Sequence, residues 1–213
     1  MDRDNPTVAP YVGRAEVNIR VAAKADSHEK ADGLIRPVKA EILKRLGKYC
    51  YGENEQSLEG RVGELLTEKK LTVAVAESCT GGLVSHRLTE VPGASAYTML
   101  NVVTYANEEK TRILGVKPEM LASVGAVSAE TAAQMAEGVR KLGGCDIGLA
   151  TTGIAGPGGG GEDKPVGLVY VGLCGTDGRT VTRRILANPK YGRSDIKFWF
   201  SQYALHFLRL YLE

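Results

Sequence analysis

Three short segments hold residue types that could do chemistry. The first is "AVAESCTGGL", Ala74 to Leu83, where an apolar run breaks into Glu77-Ser78-Cys79-Thr80-Gly81-Gly82. The second is Ala106 to Lys110, preceded by Tyr105. The third is "TGIAGPGGGGEDKPVG", Thr152 to Gly167. A serine can serve as a nucleophile if a base takes its proton, and the usual hydrolase patterns are missing around Ser78. Ala76 to Thr80 is not the G-x-S-x-G elbow, and Gly81 stands where S-x-x-K requires lysine. The three histidines, His28, His86 and His206, lie far apart and beside no carboxylate motif, which leaves a Ser-His-Asp triad without support.

A neutral lysine can do the work of a histidine when burial or a helix dipole lowers its pKa. With Asn107 as a helix N-cap, Lys110 falls in the first turn, where the positive end of the dipole disfavours an ammonium. Thr80, Gly81 and Gly82 could present N–H donors to an oxyanion or phosphate at the start of the next helix. Two readings stay open on spacing alone: a Ser78 nucleophile with a Lys110 base, or a helix-capping Ser78 or Thr80 with Lys110 a solvated surface charge. The glycine loop contains G-x-G-x-x-G at Gly156, Gly158 and Gly161, but a strand follows where the dinucleotide fingerprint needs a helix. Glu162-Asp163 replace the Lys-Ser/Thr of a phosphate-binding P-loop. What remains is either an anion cradle of exposed backbone amides or an ordinary long connection.

The elements that would position these loops are legible in the periodicity. Val17 to Val21 alternates like a strand, and residues 1 to 13 read as an extended lead-in. A helical pattern runs from His28 to Leu46, with Pro37 expected to break it in two. The polar stretch Gly52 to Ser57 marks a boundary, giving a small module over 1–54 and a larger domain over 55–213. Beyond it a helix (Leu58 to Lys69) leads into alternating strands and helices. The strands read as 71–76, 102–105, 147–151, 166–173 and 180–186, and the helices as 82–88, 107–114, a Ser128-capped helix and a final Ser194-capped helix. Such alternation predicts an α/β class, a three-layer α/β/α domain with a parallel or mixed sheet. Ligands of such sheets sit beyond the carboxyl ends of strands, where all three loops fall. The substrate-binding candidates are therefore Glu77, Thr80, Gly81, Gly82, Asn107, Thr152, Gly153, Gly156 and Gly158.

Composition excludes several classes. The 213 residues carry 27 Lys and Arg against 25 Asp and Glu, a net charge of +2 that is too balanced to signal nucleic acid. No run approaches the roughly 20 apolar residues of a membrane span, and MDRDNPTVAP has no apolar signal core, so a cytoplasmic location is expected. The four cysteines form no C-x-x-C pair, and neither a disulfide framework nor a metal site is expected.

"AVAESCTGGLVSHRLTEVPGAS", "VVTYANEEKTRILGV", "GAVSAETAAQMAEGVR" and "TTGIAGPGGGGEDKPVGLVYVGL" together resemble the CinA C-terminal domain family, over roughly Leu58 to Glu213. Residues Asn5 to Gly52 resemble the KH-type module that precedes this domain in full-length CinA proteins. The resemblance implies hydrolysis of nicotinamide mononucleotide to nicotinic acid mononucleotide and ammonia, with no cofactor and no metal. Within it Ser78 matches the serine nucleophile of E-S-x-T-G-G. Lys110 matches the lysine of Y-x-N-x-x-K, and Tyr105 a proton-transfer or positioning partner, against a reading of Tyr105 as a buried strand tyrosine. Cys79 is expected not to be the nucleophile. Leu100, Asn101 and Ala106 depart from the Gly-Gly and Ser common in the family, and would narrow the pocket if those small residues admit substrate to the backbone. The alternative class is a non-catalytic nucleotide- or nucleic-acid-binding protein. Residues 14 to 52 contain no G-x-x-G loop, which argues against RNA. The apolar final helix and the small first module point to a homo-oligomer.

Overall fold

The structure, a computed structural model, describes residues 5–213. The chain divides into two compact units, Met1–Glu53 and Asn54–Glu213.

In the first unit β1 (Thr7–Val12) pairs antiparallel with β2 (Val17–Ala22), Val12 opposite Val17, and α1 (His28–Leu46) packs on β2. The order is β-β-α, one strand more than the sequence reading. Thr7–Val12 is a strand, not a lead-in, because its two prolines fall at Pro10 and just before the strand, where a two-stranded ribbon needs few N–H donors. Pro37 does not break α1. It lies on an exposed face, where the carbonyl that loses its partner can reach solvent, and the helix absorbs the proline.

The second unit holds the core. Its five-stranded mixed sheet has the order β4-β3-β5-β6-β7, with β3 (Val73–Glu77), β4 (Thr98–Val103), β5 (Ile147–Gly153), β6 (Leu168–Cys174) and β7 (Thr180–Leu186). β4, β3 and β5 run parallel, β6 runs antiparallel to β5, and β7 pairs antiparallel with β6 and so points the same way as the first three. On one face α6 (Ala129–Gly143) crosses the strands, backed by α4 (Asn107–Leu114) and α5 (Pro118–Ser123). On the other lie α2 (Leu58–Lys69), α3 (Leu83–Thr89) and α7 (Arg193–Leu212), which completes the three layers. β3 is buried along its whole length, as a strand covered on both faces must be.

Two glycines set how closely α6 lies on the sheet. A methyl group at Gly148 would come within 2.0 Å of the Ala136 carbonyl oxygen, and one at Gly172 within 2.2 Å of the Ala132 carbonyl oxygen. Only bare backbone fits under the helix there. Ser128 caps α6 as expected, its hydroxyl accepting from Thr131 N–H, but α7 begins one turn-edge earlier than read, after Gly192 rather than Ser194.

Candidate active site

The carboxyl ends of the three parallel strands meet at one edge. Glu77 pairs with Val103 and with Thr151, Thr104 N–H donates to the Glu77 carbonyl, and Ser78 N–H donates to the Thr151 carbonyl. These bonds lock the start of the Ser78 loop between the ends of β4 and β5.

Glu77 is fully buried, and its carboxylate is spent within the fold. Oε2 accepts from Gly82 N–H at 3.0 Å and Val84 N–H at 3.1 Å, while Oε1 accepts from Ser85 N–H at 2.8 Å and from the Ser85 hydroxyl. A side-chain carboxylate thus fills the N-terminus of α3, satisfying the orphan amides that every helix start leaves. This corrects two expectations. Glu77 positions the loop and has no oxygen left over for substrate, and Gly82 N–H is not an oxyanion donor. Gly81 N–H is committed as well, to the Ser78 carbonyl at 3.1 Å. Among the described residues the Cys79 and Thr80 amides take no backbone acceptor; both are directed at the Cys79 sulfur, a weak acceptor, and are the loop donors not tied to the backbone. Thr80 is buried, its hydroxyl bonded to that of Thr151 at 2.7 Å.

The capping alternative for Ser78 and Thr80 therefore fails on geometry: α3 has Gly82 at its N-cap and Glu77 as its cap. Ser78 is half-buried, and among the described residues its hydroxyl has no hydrogen-bond partner. Cys79 beside it is buried, and desolvation pushes its thiol up to about 12, which leaves it protonated and a poor nucleophile at neutral pH.

Lys110 is 1% exposed, which removes the surface-charge reading. Ala106 rather than Asn107 is the N-cap of α4, placing Asn107 first and Lys110 fourth, still within the first turn. From there the side chain folds back toward the helix start, the direction helical side chains take. Nζ donates to the carbonyls of Thr104 and Tyr105, each at 2.9 Å. No carboxylate pairs with it among the described residues. Burial is the main cause holding its pKa below the ordinary lysine range, opposed by Cys79 and by Glu108. An uncharged amine has two N–H donors and one lone pair. With both donors on carbonyls, the lone pair is the one valence Lys110 has left. Thr104 is also buried, its hydroxyl without a partner among the described residues.

Tyr105 is exposed, not a buried strand residue, because β4 ends at Val103. Its phenol oxygen accepts from Arg193 Nη2 at 3.1 Å, and Arg193 Nη1 donates to the Gly156 carbonyl at 2.5 Å. One guanidinium thus ties the second loop to the third. Four residues on, the Lys197 side chain reaches the first loop, where a methyl group at Gly81 would come within 3.3 Å of its Nζ. Arg193 and Lys197 escape a sequence reading that starts the last helix at Ser194; the available signal was two cations spaced by four. In the glycine loop Thr152 donates to the Ala126 carbonyl at 2.7 Å and is buried, so its hydroxyl serves the scaffold. Gly153 ends β5 against the Leu168 carbonyl, Gly156 is buried, and Gly158 is exposed with open space around it. Lys164 anchors the far end of the loop on the Val124 carbonyl at 2.6 Å.

Leu100 and Asn101 pair with Ala74 and Val75, well short of the carboxyl edge. Leu100 packs in the core against Gly143 instead of narrowing a pocket. Ala106 remains at the edge, as the α4 N-cap.

The CinA C-terminal domain model matches residues 55–212, and the damage-inducible protein CinA KH domain model matches residues 1–52. The chain belongs to the CinA family. A competence-damage inducible protein of Clostridium perfringens is 50% identical over 213 residues, all of this chain and 51% of its own length. A CinA-like protein of Kosmotoga olearia is 47% identical over 208 residues, 98% of this chain and 50% of its own. This CinA-family chain spans about half the length of the curated relatives it matches. Among solved structures, the competence/damage inducible protein CihA of Agrobacterium tumefaciens superposes with a TM-score of 0.70 at 41% identity, covering 73% of this chain and 93% of that one. A CinA superfamily protein from Klebsiella pneumoniae gives 0.70 at 31% identity, covering 75% and 98%. Among the described residues no helix is long and apolar enough to cross a membrane, and no group of three or more His, Cys, Asp or Glu side chains could hold a metal ion.

Proposed function

We propose that the chain hydrolyses the carboxamide of nicotinamide mononucleotide, releasing ammonia and nicotinic acid mononucleotide, with Ser78 as nucleophile and Lys110 as base. The observation that carries this reading is Lys110: a buried amine with no ion-pair partner among the described residues, its Nζ donating to the Thr104 and Tyr105 carbonyls and its charge disfavoured by burial. Such a group gives up its proton more readily than an ordinary surface lysine and so is the better base. Ser78 loses its proton to Lys110 and attacks the amide carbon, and the oxyanion takes N–H bonds from the Ser78 loop, where the Cys79 and Thr80 amides have no backbone acceptor to give up. The ammonium of Lys110 returns the proton to the leaving nitrogen, ammonia departs, and water hydrolyses the acyl-enzyme by the reverse use of the same base.

The test is ammonia release from nicotinamide mononucleotide by the metal-free chain beside its Ser78→Ala variant. Release by the wild type that is lost in the variant supports the reading. A folded wild type that releases none overturns it and favours a binding role for the same edge.

A further inference from the structure

The proposed chemistry uses Ser78 and Lys110 and leaves two cations of the same edge without a task. Arg193 and Lys197 lie four apart at the start of α7, a spacing that puts side chains next to each other on one helix face. Their heads reach all three loops. Arg193 touches Tyr105 and Gly156, and Lys197 Nζ stands over Gly81, next to the candidate oxyanion donors. Lys197 is half-buried and makes no hydrogen bond or ion pair among the described residues. The nearest loop carboxylate, Glu77, is spent on the α3 amides and offers no counter-charge. An ammonium held beside loop backbone with no carboxylate partner is positioned to take an anion. Arg193 holds its guanidinium in place through two of its five N–H donors and keeps the others for a ligand.

We infer that Lys197 and Arg193 form a seat for a phosphate monoester, fixing the 5′-phosphate of a ribosyl substrate while its amide end lies at Ser78. Calling the anion a phosphate monoester rests on the proposed function; that an anion binds there rests on the geometry. A glycine at position 81 is then required for a second reason beyond its positive φ, since any side chain would fill the space beside Lys197 Nζ. The seat makes the enzyme discriminate between the mononucleotide and its dephosphorylated riboside, because a riboside leaves the two cations uncompensated.

Calorimetry with ribose 5-phosphate, using ribose as the control, on the full chain and on Lys197→Gln tests this without turnover. Lys197→Gln removes no intramolecular bond, so its thermal melting should match the wild type. Ribose 5-phosphate should bind the wild type, and its affinity should fall about tenfold to a hundredfold in Lys197→Gln, the scale of one charge-assisted hydrogen bond. Arg193→Gln should lose affinity likewise. With nicotinamide mononucleotide, KM should rise in Lys197→Gln with kcat nearly unchanged, and turnover of the riboside should not respond. Equal affinity of wild type and Lys197→Gln for ribose 5-phosphate overturns the seat, even if ammonia is released. Lys197-dependent binding of ribose 5-phosphate in a chain that releases no ammonia supports the seat and overturns only the proposed reaction.

Discussion

At the scale of the residue, Lys110 ties the chemistry to a measurable cost. Its pKa is lowered chiefly by burial, so between that depressed value and the ordinary 10.5 the unfolded chain holds a proton that the folded chain does not. Stability must then rise with pH through that window, because the unfolded state binds more protons there. In Lys110→Met this increment disappears, and the difference between the two curves of unfolding free energy against pH isolates Lys110. The same titration sets activity. Turnover should be low where Lys110 is protonated and rise with pH through its depressed pKa, while Lys110→Met is inactive at every pH. Urea denaturation and initial rates over one pH series check both; parallel stability curves would show that the amine is charged in the fold and cannot be the base. The sequence held the clue to this residue in the first-turn position, but not its strength, since burial of one side chain is a property of how α4 meets the rest of the edge. Cys79 shows the same limit in reverse: a thiol beside the candidate nucleophile looks reactive in the sequence and is quenched by its surroundings.

At the scale of the element, the link between fold and site is Glu77. Its position at the end of β3 and the sharp glycine turn at Gly81 and Gly82 bring the α3 amides back onto its carboxylate. Removing it leaves three amide donors and a hydroxyl without their acceptor inside the protein. Glu77→Ala should therefore cost about 2–4 kcal/mol, more than an exposed cap, because the group is buried and charged. Glu77→Gln, which retains one acceptor oxygen, should cost less, and both should lower turnover without touching substrate. Denaturation midpoints and rates for the pair check this; a Glu77→Ala protein as stable as the wild type would mean that water or another side chain caps α3. Periodicity made most elements legible, down to the identical bounds of α4 and β7. What it misplaced were ends: the cap of α7, the cap of α4 and the reach of β4, which begins at Thr98. Ends are fixed by bonds between distant residues, such as Glu77 to the α3 amides, and those leave no local pattern. Pairing Glu77 with Ser78 in one motif suggested a shared task, whereas the strand end sends one side chain into the fold and leaves the other at the edge.

At the scale of the whole molecule, the two units differ in what they can hold together alone. Every buried apolar side chain from Leu58 onward, all three loops and α7 belong to Asn54–Glu213. Among the described residues of the first unit no apolar side chain other than Pro6 is buried, and α1 buries none of its own. A unit of some fifty residues without a buried core has little to oppose the conformational entropy of its chain. The larger unit has both faces of its sheet covered and a continuous apolar interior. A chain cut to Asn54–Glu213 should consequently fold, melt within a few degrees of the full chain, and retain ammonia release with the same KM. Calorimetric melting and kinetics of the shortened chain decide the matter. If it folds but loses turnover, the first unit contributes to the reaction, and the exposed apolar residues Tyr11, Val12, Val17 and Ile19 of its hairpin become the first candidates for substitution.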